Sequence, residues 1–274
     1  MNFLLIITII INLYISARSF TIFYDKGATW ETDFIVRELF SRVGNYTIEL
    51  LDRYTLTSLS YFKLRNGIVG KNAFIFSSHK LNYEKTLAVV KYLQPKVIIH
   101  LSDEGGRYIK FDELRHYTKY FMRQHCHGYD PNKNDTAYIP LAYISGMYAN
   151  NPAFSSTYID AQVLLERKRE FIWTFVGDQL KQDRPIMLSA FKENLKPYYL
   201  PSSTTIIPRT NLSNIYSNAL FVPIGLGYVN HDCFRIYEAA SCGSIPVIVA
   251  TTAEIQVEML YNIIYIVYAY VIII

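Results

Sequence analysis

A glycine loop followed by two charged residues is the part of the chain best suited to bind a ligand. The segment FVPIGLGYVNHDCFRIYEAASCGSIPVIV, Phe221–Val249, contains Gly225 and Gly227 and then places Arg235 and Glu238 three residues apart. Its pattern predicts a strand, a glycine loop, a helix and a second strand. In α/β proteins ligands bind beyond the carboxyl ends of the strands, where such loops lie. The two charges near the helix start therefore predict a site for a ligand that is anionic and carries hydroxyl groups.

Strand-like and helix-like segments alternate along the chain, which predicts the sheet that would position these residues. FTIFYD, Phe20–Asp25, is typical of a strand, and WETDFIVRELFSRV, Trp30–Val43, of an amphipathic helix with acidic residues in its first turn. The apolar runs NAFIFSS and KVIIHLS enclose the helical segment YEKTLAVVKYLQ. This βαβ alternation predicts an α/β fold with a parallel sheet.

A second alternation begins at EFIWTFVGD, after a connecting helix predicted for YIDAQVLLERKRE, so we expect a domain boundary near Arg167. The chain of 274 residues is 51% hydrophobic and 18% charged, and it can therefore bury a sizeable core. Its net charge of +4 is spread without a long Lys/Arg run. This distribution argues against a nucleic-acid partner.

Residues 1–18 predict entry into the secretory pathway. Their apolar run, Phe3–Ile15, is shorter than the ~20 residues of a membrane-spanning helix. Ala17 before Arg18 fits a signal-peptide cleavage site, and an uncleaved signal-anchor that attaches the protein to the membrane fits the run equally well. Three N-x-[ST] sequons agree with a lumenal compartment, and they begin at Asn45, Asn134 and Asn211.

Two blocks of the C-terminal half match a family pattern in the expected order. The first is REFIWTFVGDQLKQDRPIMLSAF, Arg169–Phe191, with a strand, a glycine and then Arg-Pro. The second is Phe221–Val249, which fits P-x-G…R-x-x-E-A…G-x-x-P-V through Pro223, Gly225, Arg235, Glu238, Ala239, Gly243 and Pro246. Together the blocks resemble the exostosin family, glycosyltransferase family 47.

Within that family the chain is most similar to the ribitol xylosyltransferase branch. The similarity rests on CFRIYEAASCGSIPVI and on the upstream segments HLSDEGG and YIPLAYISGM. It implies xylose as the transferred sugar. A donor of another class, such as a fucosyl or glucuronosyl donor, is left open, because donor choice depends on pocket contacts that the sequence does not define.

The resemblance implies a GT-B fold, in which two Rossmann-like domains face each other. Residues 19–166 would form the N-terminal, acceptor-side domain, and residues 167–260 the nucleotide-sugar-binding domain. After Val249 the chain departs from the family pattern, so we expect this second domain to be incomplete and to be followed by an apolar tail at 261–274. The departure leaves open a catalytically inactive, lumenal binding protein of the same fold.

The resemblance also implies roles for individual residues. Glu238 is expected to accept hydrogen bonds from ribose hydroxyls, and Arg235 and Arg184 to bind the diphosphate through their planar forks of donors. Gly225 and Gly227 are expected to let backbone N–H groups approach the phosphates. Two other interpretations stay open: Arg184 as an exposed residue before a helix, and Glu238 as a solvated acid of a first helical turn.

The implied reaction is the inverting transfer of a sugar from a UDP-sugar to the hydroxyl of a glycan or glycoprotein acceptor. The sequence has no D-x-D triplet, so we expect no required metal and no cofactor beyond the donor substrate. The expected location is the lumenal side of the Golgi membrane, with the endoplasmic reticulum or secretion as alternatives.

An inverting transfer needs a general base, which we expect on a loop after a strand of the N-terminal domain. Asp103 in VIIHLSDEGGRY is the first candidate, because it follows a buried-type strand and precedes two glycines. Asp25 after the first strand is the second. Either acid also fits the role of a turn or cap carboxylate.

Overall fold

The structure is a computed structural model, and the chain divides into two compact units, Met1–Pro140 (unit 1) and Leu141–Ile274 (unit 2). In unit 1 it describes residues 20–25, 46–51, 73–78, 82–101, 109–124 and 136–139. In unit 2 it describes residues 141, 147, 167–227, 231, 233–250 and 270–273. Residues 1–18, the helix predicted at Trp30–Val43 and the stretch 148–166 before the predicted boundary lie outside these ranges.

Unit 1 contains a six-stranded sheet in which every neighbouring pair of strands is parallel. Its strands are β1 (Phe20–Asp25), β2 (Tyr46–Leu51), β3 (Ala73–Ser78), β4 (Val97–Leu101), β5 (Tyr120–Gln124) and β6 (Thr136–Ile139). Their order across the sheet is β2-β1-β3-β4-β5-β6. The predicted first strand and the predicted parallel sheet are confirmed.

Helix α1 (Tyr83–Leu93) links β3 to β4, as the apolar runs on either side of it predict. It begins where the side chain of Asn82 accepts a hydrogen bond from the N–H of Lys85 at 3.0 Å. It ends at Gln94, whose φ of 47° is left-handed. The core formed by α1, the sheet and a 3₁₀ helix at Ile109–Tyr117 comprises Phe23, Val89, Val90, Leu93, Ile98, Phe111, Leu114 and Phe121.

An ion pair between the buried Arg123 and the half-buried Asp112 attaches the 3₁₀ helix to the sheet. Arg123 of β5 is 2% exposed and donates a hydrogen bond from Nη1 to the carboxylate of Asp112. A buried guanidinium needs such a partner, because an unpaired charge in the interior is strongly destabilising.

Unit 2 contains a five-stranded parallel sheet of order β11-β10-β9-β7-β8. Its strands are β7 (Phe171–Thr174), β8 (Tyr198–Tyr199), β9 (Ala219–Ile224), β10 (Ile245–Ala250) and β11 (Tyr270–Ile273). Its helices are α2 (Arg184–Asn194), α3 (Arg209–Ser217) and α4 (Phe234–Ser241). Part of the apolar tail expected at 261–274 thus forms an edge strand beside β10.

The helices of unit 2 cover both faces of its sheet. Val247 and Val249 of β10 belong to one core cluster with the buried residues of α2. Ile248, between them in sequence, belongs to a second cluster with the buried residues of α3 and α4. Because alternate residues of a strand point to opposite faces, α2 lies on one face and α3 and α4 on the other. Unit 2 is therefore a doubly wound α/β sheet.

The two sheets share one strand order. In each sheet, the first strand of the unit lies between the second strand and the third strand. The order reverses between β1 and β3 in unit 1 and between β7 and β9 in unit 2. In open α/β sheets the crevice beyond the carboxyl ends of two such strands is the usual ligand site. Within the described ranges, no helix is both long and apolar enough to cross a membrane.

Candidate functional site

The glycine loop lies where the strand order of unit 2 reverses. β7 and β9 are parallel neighbours, so the segments that follow them leave the same edge of the sheet. The segment after β7 starts at Phe175, and the segment after β9 is Gly225-Leu226-Gly227. The residues predicted for the ligand site are therefore at the edge and at the pair of strands where ligands bind in such folds.

Arg235 is held against the loop that follows β7. It is the second residue of α4, and its Nε and Nη2 donate hydrogen bonds to the carbonyl oxygen of Val176 at 3.1 and 2.8 Å. Its guanidinium carbon lies 4.2 Å from the centroid of the buried Phe175 ring, within cation–π distance. Within the described part of the chain, Nη1 of Arg235 has no hydrogen-bond partner, and this donor is available to a ligand.

Gly177 provides the space that Arg235 occupies. Its φ of +137° is a conformation that L side chains rarely adopt, and a Cβ there would lie 2.5 Å from Nη2 of Arg235. The sequence pattern counted Gly177 only as the glycine of the first family block and assigned it no role, and it did not single out Phe175. The signal that could have identified them is the glycine two residues after an aromatic residue at the end of an apolar run, in FVGD.

Arg184 is buried, which excludes its interpretation as an exposed residue. It is the first residue of α2 and is 6% exposed. Its Nη1 donates to the carbonyl oxygen of Asp178 at 2.8 Å, and its Nη2 to that of Leu226 at 3.1 Å. Its Nε is buried and has no hydrogen-bond partner among the described residues. The guanidinium carbon is 5.7 Å from the Phe175 ring centroid, so both arginines contact the same ring.

Asp183 fixes the glycine loop, a role that the sequence did not indicate. Its Oδ1 and Oδ2 accept hydrogen bonds from the N–H of Leu226 at 3.0 and 3.3 Å. A Cβ at Gly225 would lie 3.0 Å from both Asp183 Oδ1 and Arg184 Cγ. Gly225 therefore permits close packing of the loop on the start of α2. The Leu226 N–H is used inside the protein, whereas the sequence had suggested that loop amides face a phosphate.

Burial and like charge act on Arg184 together. Burial first, and then the nearby positive charge of Arg235, lower the pKa of the Arg184 guanidinium, while Asp178 and Asp183 act in the opposite direction. The structure thus places two guanidinium groups close enough to repel each other in a partly desolvated setting. An anionic ligand between them would reduce this repulsion.

Glu238 is a buried acid, 4% exposed, and the solvated-acid interpretation is excluded. It lies one helical turn after Arg235, so the two side chains share a face of α4. Burial, followed by the negative charge of Glu238, raises the pKa of the Tyr216 phenol on α3. The Glu238 carboxylate therefore lies close to the packed interface between α3 and α4.

The start of α4 adds backbone donors to the site. Its N-cap residue, Cys233, makes no side-chain capping bond. The first N–H groups of a helix carry partial positive charge and bind anions when no side chain caps them. Gly227 is buried, and the residues 228–230 that follow it are outside the described ranges.

One of the two candidate bases, Asp25, lies at the corresponding edge of unit 1. Asp25 is the last residue of β1, at the strand pair where the order reverses. Asp103 follows β4 by two residues and is outside the described ranges. Among the residues that the structure describes, no group of three or more His, Cys, Asp or Glu could hold a metal ion.

No known family model matches the chain, and no curated protein matches it significantly.

Proposed function

We propose that this protein is a GT-B glycosyltransferase of the exostosin type that transfers a sugar from a UDP-sugar to a hydroxyl of a glycan acceptor in the Golgi lumen. The observation that carries the proposal is the pair of arginines, Arg184 and Arg235, that contact one buried ring where the strand order of unit 2 reverses. The sequence blocks that resemble the exostosin family contain both of these residues. The parallel α/β sheets of the two units are consistent with the two Rossmann-like domains of a GT-B enzyme.

The diphosphate of the donor binds beside Arg235 in this proposal. Nη1 of Arg235 and the N–H groups at the start of α4 supply donors to its oxygens, and the buried Arg184 contributes its positive charge. Glu238, one turn further along α4, accepts from the ribose hydroxyls. Asp183 acts indirectly, because it holds the glycine loop whose Leu226 carbonyl oxygen accepts from Arg184.

The chemical step is a single displacement. The acceptor oxygen forms a bond to the anomeric carbon while a carboxylate of unit 1 takes its proton, and the bond from that carbon to the β-phosphate oxygen breaks. UDP leaves with the electron pair of that bond. The arginines stabilise its developing charge, and we propose that no metal is required.

UDP binding by the full chain tests the donor site. Arg235→Ala should weaken UDP binding by about 10-fold to 100-fold, because a charge-assisted contact of roughly 1.5–3 kcal/mol is lost. Glu238→Gln should weaken it less, since this variant loses an acceptor for neutral hydroxyls. Titration calorimetry gives both dissociation constants.

Arg167→Ala is the matched control, because Arg167 is exposed and precedes β7 at the opposite edge of the sheet. If Arg235→Ala binds UDP as tightly as Arg167→Ala, the donor-site assignment is wrong. A chain that binds UDP with the expected mutant pattern and transfers no sugar to any acceptor would be the inactive, lumenal binding protein of the same fold.

A further inference from the structure

A basic cleft lies in unit 1 at the sheet edge opposite to Asp25. Its volume is about 730 Å³, and it is formed where α1 ends and where the chain enters β4 and β5. Lys96 directly precedes β4 and Lys119 directly precedes β5. The N–H of Tyr120 donates to the carbonyl oxygen of Lys96 at 3.1 Å, which fixes the two entry segments side by side. The cleft is thus built on the rigid amino edge of the sheet.

Four basic residues line this cleft, and none of its described lining residues is acidic. They are Lys91, Lys96, His116 and Lys119. Within the described part of the chain none of the four forms an ion pair with a carboxylate. Lys91 and His116 lie in the last turns of their helices, where the helix dipole already favours a cation. Lys96 and Lys119 lie outside any helix, so a helix dipole does not account for a positive charge at these two positions.

The cleft also has an aromatic wall. The Nζ of Lys91 lies 5.2 Å from the centroid of the Tyr117 ring, and that ring is 37% exposed. Pro95 adds apolar surface that is rigid. A recess that is open to solvent and combines apolar walls with several basic side chains fits a small anionic molecule.

We propose that this cleft binds a compact, soluble ligand that carries several phosphate groups. Lysine ammonium groups bind phosphate as point charges, and several of them around one concavity favour a multiply charged anion over a single carboxylate. The site is distinct from the proposed donor site, because it belongs to unit 1 and lies at the amino edge of its sheet. A strand of five residues, roughly 16 Å, separates it from the opposite edge of the sheet, where β1 ends at Asp25.

Inorganic tripolyphosphate is the probe, titrated into the full chain at constant ionic strength. The double variant Lys96→Gln/Lys119→Gln should weaken its binding at least about tenfold, since two charged contacts are removed. The control Lys110→Gln/Lys192→Gln loses the same charge at exposed positions outside the cleft and should leave binding unchanged. Lys119→Gln alone, at an exposed position, should show a smaller loss of the same sign and serves if the double variant does not fold.

Two further experiments distinguish phosphate binding in the cleft from phosphate binding at the donor site or to a membrane. If Arg235→Ala abolishes tripolyphosphate binding and the cleft variant does not, the anion binds only at the proposed donor site and the cleft proposal is overturned. Flotation with vesicles of phosphatidylserine, against phosphatidylcholine vesicles, tests a lipid surface. Loss of vesicle binding in the cleft variant with unchanged tripolyphosphate binding would also overturn the proposal, in favour of a membrane headgroup. Equal tripolyphosphate binding by the cleft and control variants would overturn it as well.

Discussion

Arg184 and Arg235 are anchored by backbone carbonyl oxygens. Arg235 donates to Val176, and Arg184 donates to Asp178 and Leu226. A carbonyl oxygen holds a guanidinium in a fixed direction without adding a negative charge that would neutralise it. The nearby carboxylates of Asp178 and Asp183 oppose the effect of Arg235 on the pKa of Arg184, but each has a smaller effect than burial or Arg235. This arrangement suits a site that must bind an anion and release it again.

Gly177→Ala tests whether the position of Arg235 matters for binding. The alanine is strained at φ +137° and its Cβ would displace Nη2 of Arg235. We expect a loss of about 1–3 kcal/mol in the free energy of unfolding and a loss of about tenfold in UDP affinity. Urea denaturation and calorimetry measure the two quantities on the same preparation.

Gly243→Ala provides a comparison for this prediction. Gly243 follows α4 with a φ of +73°, so alanine there is also strained, but it lies at the far end of the helix from Arg235. It should lower stability and leave UDP affinity unchanged. Equal effects of the two variants on UDP affinity would show that Gly177 acts through stability alone.

At the scale of elements, one arginine joins the amino ends of three strands in unit 2. Arg169, two residues before β7, donates from Nη1 to the carbonyl oxygens of Ser217 and Ala219 at 3.0 and 2.8 Å. Its Nη2 donates to the carbonyl oxygen of Gly243 at 2.6 Å. These acceptors lie next to the starts of β9 and β10. Burial lowers the pKa of the Arg169 guanidinium, as expected for a cation partly removed from water.

Arg169→Ala should therefore destabilise unit 2 strongly. It removes three hydrogen bonds to backbone carbonyl oxygens, of which that of Ala219 keeps another donor, the hydroxyl of Ser244. We expect a loss of about 2–4 kcal/mol in the free energy of unfolding. Arg169→Lys should restore only part of the lost free energy of unfolding, because an ammonium group cannot reproduce the planar fork of donors of a guanidinium. Arg167→Ala, at an exposed position, should change stability by less than about 0.5 kcal/mol. A midpoint in urea for Arg169→Ala equal to that of Arg167→Ala would contradict the proposed role.

Much of the secondary structure follows from local pattern. Residues 20–25, 83–93 and 97–101 have the periodicity of the elements that they form, and Arg-Pro marks the start of α2. The contacts around the candidate site cannot be predicted from the local sequence pattern. Asp183 reaches Leu226 across 43 residues of sequence, and nothing in the segment DRPIM indicates that its carboxylate binds a distant amide. Such a contact exists only after the sheet has brought the two loops together.

At the scale of the whole molecule, the strand order is the feature that sequence could not supply. Alternation of strands and helices predicts parallel pairing, but the position of β2 beside β1, and of β8 beside β7, depends on packing between distant segments. That strand order changes which acid is the better candidate for the general base. The sequence ranks Asp103 first because of the loop around it. The strand order favours Asp25, because β1 borders the crevice where the order reverses, whereas Asp103 follows β4, one strand further away.

Asparagine variants of the two acids decide between them, because asparagine keeps the shape of aspartate but cannot take a proton. If Asp25 is the base, Asp25→Asn should lower turnover by ~10²-fold or more while UDP affinity stays normal, since the donor binds in unit 2 in our proposal. Asp103→Asn should then affect stability at most. Retained turnover in Asp25→Asn with loss in Asp103→Asn would place the base after β4, as the sequence alone suggests. Normal turnover in both variants would exclude both acids and leave the donor site as the part of the proposal that still stands.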